Sequence, residues 1–223
     1  MAFEVIADRS RRNLRKQAGN IKTLFQLQEL LGFDMVPIND DFLGDAVNTD
    51  LYTLTADAGA TAGAITAGAV HGQLRFTTGA TDNERSYLSS GLNWRGEFNA
   101  IIAVRCVLSA VTGVKVEIGF TDALTETAPA GIVDAAGASG AAATFTATDA
   151  ACWVYDTDAA SIWQAVGVAN GTVATKINPT AAGTGGWQGN ATADTFETFV
   201  VALIEGAARF IHYDALGLKD YDS

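Results

Sequence analysis

The stretch VKVEIGF, Val114–Phe120, decides the fold class. Val114, Val116, Ile118 and Phe120 alternate with Lys115, Glu117 and Gly119. Successive side chains of a strand point to opposite faces, so this period of two predicts a β-strand with one face buried and one face wet.

The same period recurs on both sides of that strand. Phe98, Ala100, Ile102, Val104, Cys106 and Leu108 form an alternating set opposite Asn99, Arg105 and Ser109. Leu74 and Phe76 alternate with Gln73 and Arg75. Trp153, Tyr155 and Ile162–Val168 mark further strands. Thr198–Ile204 is apolar apart from Thr198, which predicts a central strand covered on both faces. After Glu205-Gly206, Ala207–Tyr213 reads as its hairpin partner. Residues 57–68, 134–143 and 178–193 read as loops of Gly, Ala, Thr and Asn. Many strands with turn signals predict a mainly β chain, an antiparallel β-sandwich domain over residues 39–223 with about ten to fourteen strands over residues 41–223.

Residues 1–38 read differently. Arg11–Ala18 is compatible with a helix after Ser10, and Gly19 ends it. Ile21, Leu24, Phe25 and Leu31 then share one helical face, closed by Gly32 and Pro37. This segment is an N-terminal extended or helical arm with one or two short helices.

Charge separates the two parts. Arg9, Arg11, Arg12, Arg15, Lys16 and Lys22 face only Glu4 and Asp8, so residues 1–22 carry +4 of a total of −11. The remaining residues carry −15. An acidic body repels phosphate and argues against nucleic acid as its partner. Arg11 and Arg15, and Arg12 and Lys16, are like-charge pairs four apart, which destabilise an isolated helix. Such an arm is better supported against an anionic surface. Arg9, Arg11, Arg12, Arg15 and Lys16, with Ile21, Leu24, Phe25 and Leu31, are therefore the candidate partner-binding residues: charge steers and the apolar stripe seats.

Of 223 residues, 48% are hydrophobic, yet no run of about 18 apolar residues exists to cross a membrane. Glu4, Asp8 and Arg9 interrupt any secretory signal, so synthesis in the cytoplasm without Sec export is expected. Cys106 and Cys152 fall in expected strands and read as free thiols in a core, with a disulfide as the alternative.

Catalytic signals are sparse. His71 and His212 lack neighbours at metal-ligand spacing. Asp40, Asp41 and Asp45 cluster, either as a turn or as oxygen ligands for calcium. Glycoside hydrolysis needs two acids about 5–9.5 Å apart. Glu117 has no acid at 115 or 119, Asp156 and Asp158 fall in a turn, and Glu84 and Glu97 stand alone. Trp153 and Trp163 read as core. Trp94 and Trp187 lie in Gly/Asn loops and are candidates for exposed sugar or protein contacts. No catalytic residue, metal or cofactor is expected.

Four segments carry a resemblance: DDFLGDAVNTDLYTL from Asp40, GQLRFTTGATDNERSYLSSGLNWR from Gly72, VKVEIGFTDAL from Val114 and ARFIHYDALGL from Ala208. Together they resemble tailed-phage virion proteins, over roughly residues 41–125 and 195–218. The resemblance implies a jelly-roll or concanavalin-like sandwich that decorates or cements a phage capsid, often as a trimer. The implied partners are the major capsid protein and neighbouring copies, with the capsid surface of the virion as location. It supplies no catalytic residues. A glycan-binding module on the virion surface is the alternative, and a glycoside hydrolase ranks behind it.

Overall fold

A computed structural model describes residues 40–67, 72–80, 84–91, 94, 99–123, 131–135, 143–173, 193–194, 196–204, 207–214 and 217–222. These residues hold fourteen strands and no helix. They are β1 (Thr53–Ala56), β2 (Thr61–Ile65), β3 (Leu74–Thr77), β4 (Ser86–Ser89), β5 (Ile101–Val107), β6 (Lys115–Thr121) and β7 (Val133–Ala135). Then come β8 (Thr144–Phe145), β9 (Ala150–Asp156), β10 (Ala160–Ala169), β11 (Thr172–Val173), β12 (Phe196–Ile204), β13 (Ala207–Asp214) and β14 (Gly217–Asp222). The chain is mainly β and its sheets are antiparallel. The expected arm, and the 38/39 boundary after it, lie outside the described residues.

The chain divides into two compact units. One comprises residues 1–46 and 65–74, and the other residues 47–64 and 75–223. In the first, the Asp40 carboxylate accepts the Phe42 N–H at 2.8 Å and Asp41 accepts the Leu43 N–H at 3.4 Å. Two of the three clustered aspartates thus cap their own turn, the ordinary use of Asp at such positions.

In the second unit, two four-stranded sheets have the orders β11-β10-β9-β6 and β14-β13-β12-β5. Each is a three-strand meander with one earlier strand added. The hairpin β12–β13 pairs Thr198 with Tyr213 and Ile204 with Ala207, and β12 lies between β13 and β5. That is the central position its apolar run implied. The β10–β11 hairpin turns on Asn170 and Gly171 at φ 48° and 71°. Asn-Gly is the pair that a two-residue turn with left-handed positions selects.

The two sheets share one core. Ile118, Trp153, Tyr155 and Trp163 from one meet Phe199, Val201 and Phe210 from the other. Trp163 and Phe199 approach to 4.2 Å between ring centroids, and Trp153 meets Phe210 edge-on at 5.7 Å. Polar tips of these rings are satisfied as burial requires. Trp153 Nε1 donates to Val200 O at 3.2 Å, Tyr155 Oη to Val111 O at 2.9 Å, and Trp163 Nε1 to Glu197 Oε2 at 2.9 Å.

Three expectations need correction. The alternation at Phe98–Leu108 yields a strand only from Ile101, because Asn99 adopts φ 56° and breaks the extended run. The stretch 57–68 is not only a loop, since Thr61–Ile65 forms β2 beside β3. Gly63 permits this: a Cβ there would lie 2.6 Å from the Phe76 ring. Third, the face of β6 expected to be wet is partly covered: the Glu117 side chain is buried there, while Lys115 stays exposed.

Candidate functional site

The most organised polar cluster lies on that covered face of β6. Lys115 and Glu117 are two apart and so project to the same side. Register places Lys115 opposite Asp156, Glu117 opposite Val154 and Gly119 opposite Cys152. On the adjoining strand, Val154 is opposite Gln164 and Cys152 is opposite Val166. Glu117, Val154 and Gln164 thus form one row across three strands.

The segment Gly131–Ala135 covers this face. Glu117 Oε2 accepts the Ile132 N–H at 2.7 Å, and Oε1 accepts the Val133 N–H at 3.1 Å. Lys115 Nζ lies 3.1 Å from Glu117 Oε1 and donates to the carbonyls of Val133 and Asp134. Thr146 Oγ1 donates to the carbonyls of Gly131 and Ile132 from the far side. The Glu117 side chain is only 5% exposed. A carboxylate this far from water needs donors and a counter-charge, and it has both.

Ile132, Val133, Ala143, Cys152, Val154 and Val166 pack around this clamp. Nearby, burial and the field of Glu117 push the Tyr87 phenol up to about 12. Gln164, in the same row, is fully buried, and its side-chain nitrogen and oxygen have no hydrogen-bond partner among the described residues. Both cysteines are free thiols. Cys152 is completely buried, and burial raises it well above the usual thiol range. Burial, aided by Glu197, pushes Cys106 up to about 12. Neither thiol is primed as a nucleophile, which needs the opposite shift.

The Glu117–Lys115 clamp is engaged with the chain's own backbone. Each Glu117 oxygen already accepts a backbone N–H, and Lys115 is spent on two carbonyls and Glu117. Such an arrangement fastens a covering segment to a sheet. Sequence reading weighed Glu117 only as a catalytic acid and missed this role. The available signal was a Lys and a Glu on the same side of one strand.

The other candidates are dispersed. Arg9, Arg11, Arg12, Arg15, Lys16, Ile21, Leu24, Phe25 and Leu31 lie outside the described residues, as do His71, Glu97 and Trp187. Trp153 and Trp163 are core. Trp94 is 39% exposed and donates its indole N–H to Ser90 Oγ at 2.8 Å. Asp156 caps the β9–β10 turn by accepting the Asp158 N–H at 3.1 Å. The Glu84 carboxylate is wedged between Gly59 and Gly79, where a Cβ on either would overlap it. Among the described residues, no three His, Cys, Asp or Glu side chains gather as a metal site, and no helix is long and apolar enough to cross a membrane. No family model, curated protein or solved structure matches the chain.

Proposed function

We propose that this chain is a structural virion protein that decorates or cements a phage capsid. Its body is a β-sandwich of the jelly-roll or concanavalin-like kind, and residues 1–38 anchor it. The observation that carries this reading is the charge split. Residues 1–38, with an apolar stripe and a net charge of +2, precede a body carrying −13, a layout suited to an arm that seats on a neighbouring acidic surface. The use of polar groups in the body supports it. Glu117, Lys115, Glu197 and Asp156 all tie strands, rings or turns together. The partners are the major capsid protein and neighbouring copies, at the capsid surface. Many weak attachments of this kind add up through avidity.

Deleting residues 1–38 tests the proposal. The body keeps its β circular-dichroism spectrum and fails to join particles. Normal incorporation of the truncated chain overturns the anchoring role.

The exposed Trp94 favours a second reading, glycan binding at the virion surface. Trp94→Ala then abolishes retention on immobilised host polysaccharide, and equal retention of the two proteins removes that reading.

A further inference from the structure

Strand β5 ends its sheet, and its hydrogen-bonding direction can be assigned. Leu203 N donates to Ala100 O at 2.8 Å, so Ala100 faces β12. Direction alternates along an antiparallel strand. Ile102, Val104 and Cys106 therefore also turn their N–H and C=O toward β12, and their side chains pack on the shared core. Ile101, Ala103, Arg105 and Val107 turn theirs to the outer edge, where no described strand pairs with them.

Open edges are normally guarded by charge, proline or a bulge. The far edge of this sheet, β14, has Lys219, Asp220 and Asp222 among its six residues. The edge of the other sheet, β6, carries the clamped Lys115 and Glu117. By contrast, β5 reads IIAVRCV, with no Pro, no Gly and one charge. That charge does not guard the edge: the Arg105 guanidinium sits 4.5 Å from the centroid of the Phe196 ring, stacked on its own sheet.

We propose that β5 is the pairing edge for a second copy of this chain, the two strands running antiparallel about a two-fold axis at Val104. This register sets Ile101 against Val107, Ala103 against Arg105 and Val104 against itself. Only edge-facing residues then exchange bonds, about eight in all. Centring on Arg105 would place two guanidinium groups face to face. Centring on Ala103 or Ile102 shortens the ladder. The Val104 register also aligns Ile102, Val104 and Cys106 of both copies on one inner face. Two four-stranded sheets become one continuous sheet across the axis.

The pairing names a partner without requiring a virion role, and it differs from arm docking in its salt response. Two copies of net charge −11 repel each other, and screening relieves that repulsion, so salt strengthens the dimer. Association through a basic arm on an acidic body weakens with salt.

Sedimentation velocity on the purified full chain tests this. A reversible dimer is expected that tightens as salt is raised and survives deletion of residues 1–38. Ala103→Pro removes an N–H that points to the open edge and leaves the β12 ladder intact, so it weakens the dimer at least tenfold with an unchanged circular-dichroism spectrum. Ala103→Lys, facing Arg105, weakens the dimer, and Ala103→Glu tightens it. These two decide the matter if the proline variant misfolds. A monomer at every concentration, or a dimer indifferent to all three substitutions, overturns the proposal. Loss of the dimer on arm deletion alone also overturns it and favours the arm.

Discussion

The two faces of the β11-β10-β9-β6 sheet are covered by different physics. On one, Trp153, Tyr155 and Trp163 meet Phe199 and Phe210 of the opposite sheet. On the other, Glu117 and Lys115 clamp the backbone of residues 132–134 over Cys152, Val154 and Val166. The aromatic face needs only volume and shape, because dispersion and the hydrophobic effect are non-directional. The clamped face must match each buried polar atom with a partner, because an unmatched one costs more than a made bond returns. It succeeds at Glu117 and, among the described residues, fails at Gln164.

Truncating the aromatic face carries the largest expected effect. Trp153→Ala removes a side chain that is 1% exposed and touches Phe199 and Phe210. It lowers unfolding free energy by about 3–5 kcal/mol, read from urea denaturation. A loss below about 1 kcal/mol would show that the two sheets do not depend on this contact.

The clamp comes next. Glu117→Ala strands two backbone N–H groups and Lys115, at a cost of about 2–3 kcal/mol. Its distinguishing sign is local. Amide exchange at Ile132 and Val133 accelerates more than exchange in β12. Uniform acceleration would mean that the clamp has no separate existence. Lys115→Met costs less, because Lys115 is 33% exposed and water can replace part of its role.

Gln164 reverses the sign. Both of its polar atoms are buried without partners among the described residues, so Gln164→Leu, of similar volume, raises stability by about 1–2 kcal/mol. The thermal midpoint checks this, and a fall would mean that the amide is satisfied in solution.

The smallest effect is alkaline. Cys106 and Tyr87 ordinarily titrate at 9.0 and 10.0, and burial holds both up to about 12. The folded state therefore keeps protons that the unfolded chain releases. Stability is fully present below pH 9 and declines from there toward pH 12. In Cys106→Ala the decline keeps its onset, because buried Cys152 is raised as well, but becomes shallower. An unchanged slope in thermal melts against pH contradicts the Cys106 share.

Sequence alone determined the mainly β character, because period-two alternation of apolar side chains is a local property of the chain. The alternating sets at Ile102–Cys106 and Val114–Phe120, and the apolar run at Thr198–Ile204, became β5, β6 and β12. Trp153 and Trp163 were legible as core for the same reason. The Asn170-Gly171 turn was not singled out in the sequence, although its backbone angles are those that this pair of residue types favours. Tertiary structure alone decided what covers each face. Alternation marks Glu117 and Lys115 as opposite to the core, and nothing local says that residues 131–135, from a stretch of low complexity, will fold back, bury Glu117 and bind Lys115. That covering depends on hydrogen bonds between residues 15 and 16 positions apart. It turned part of an expected wet face into a clamp.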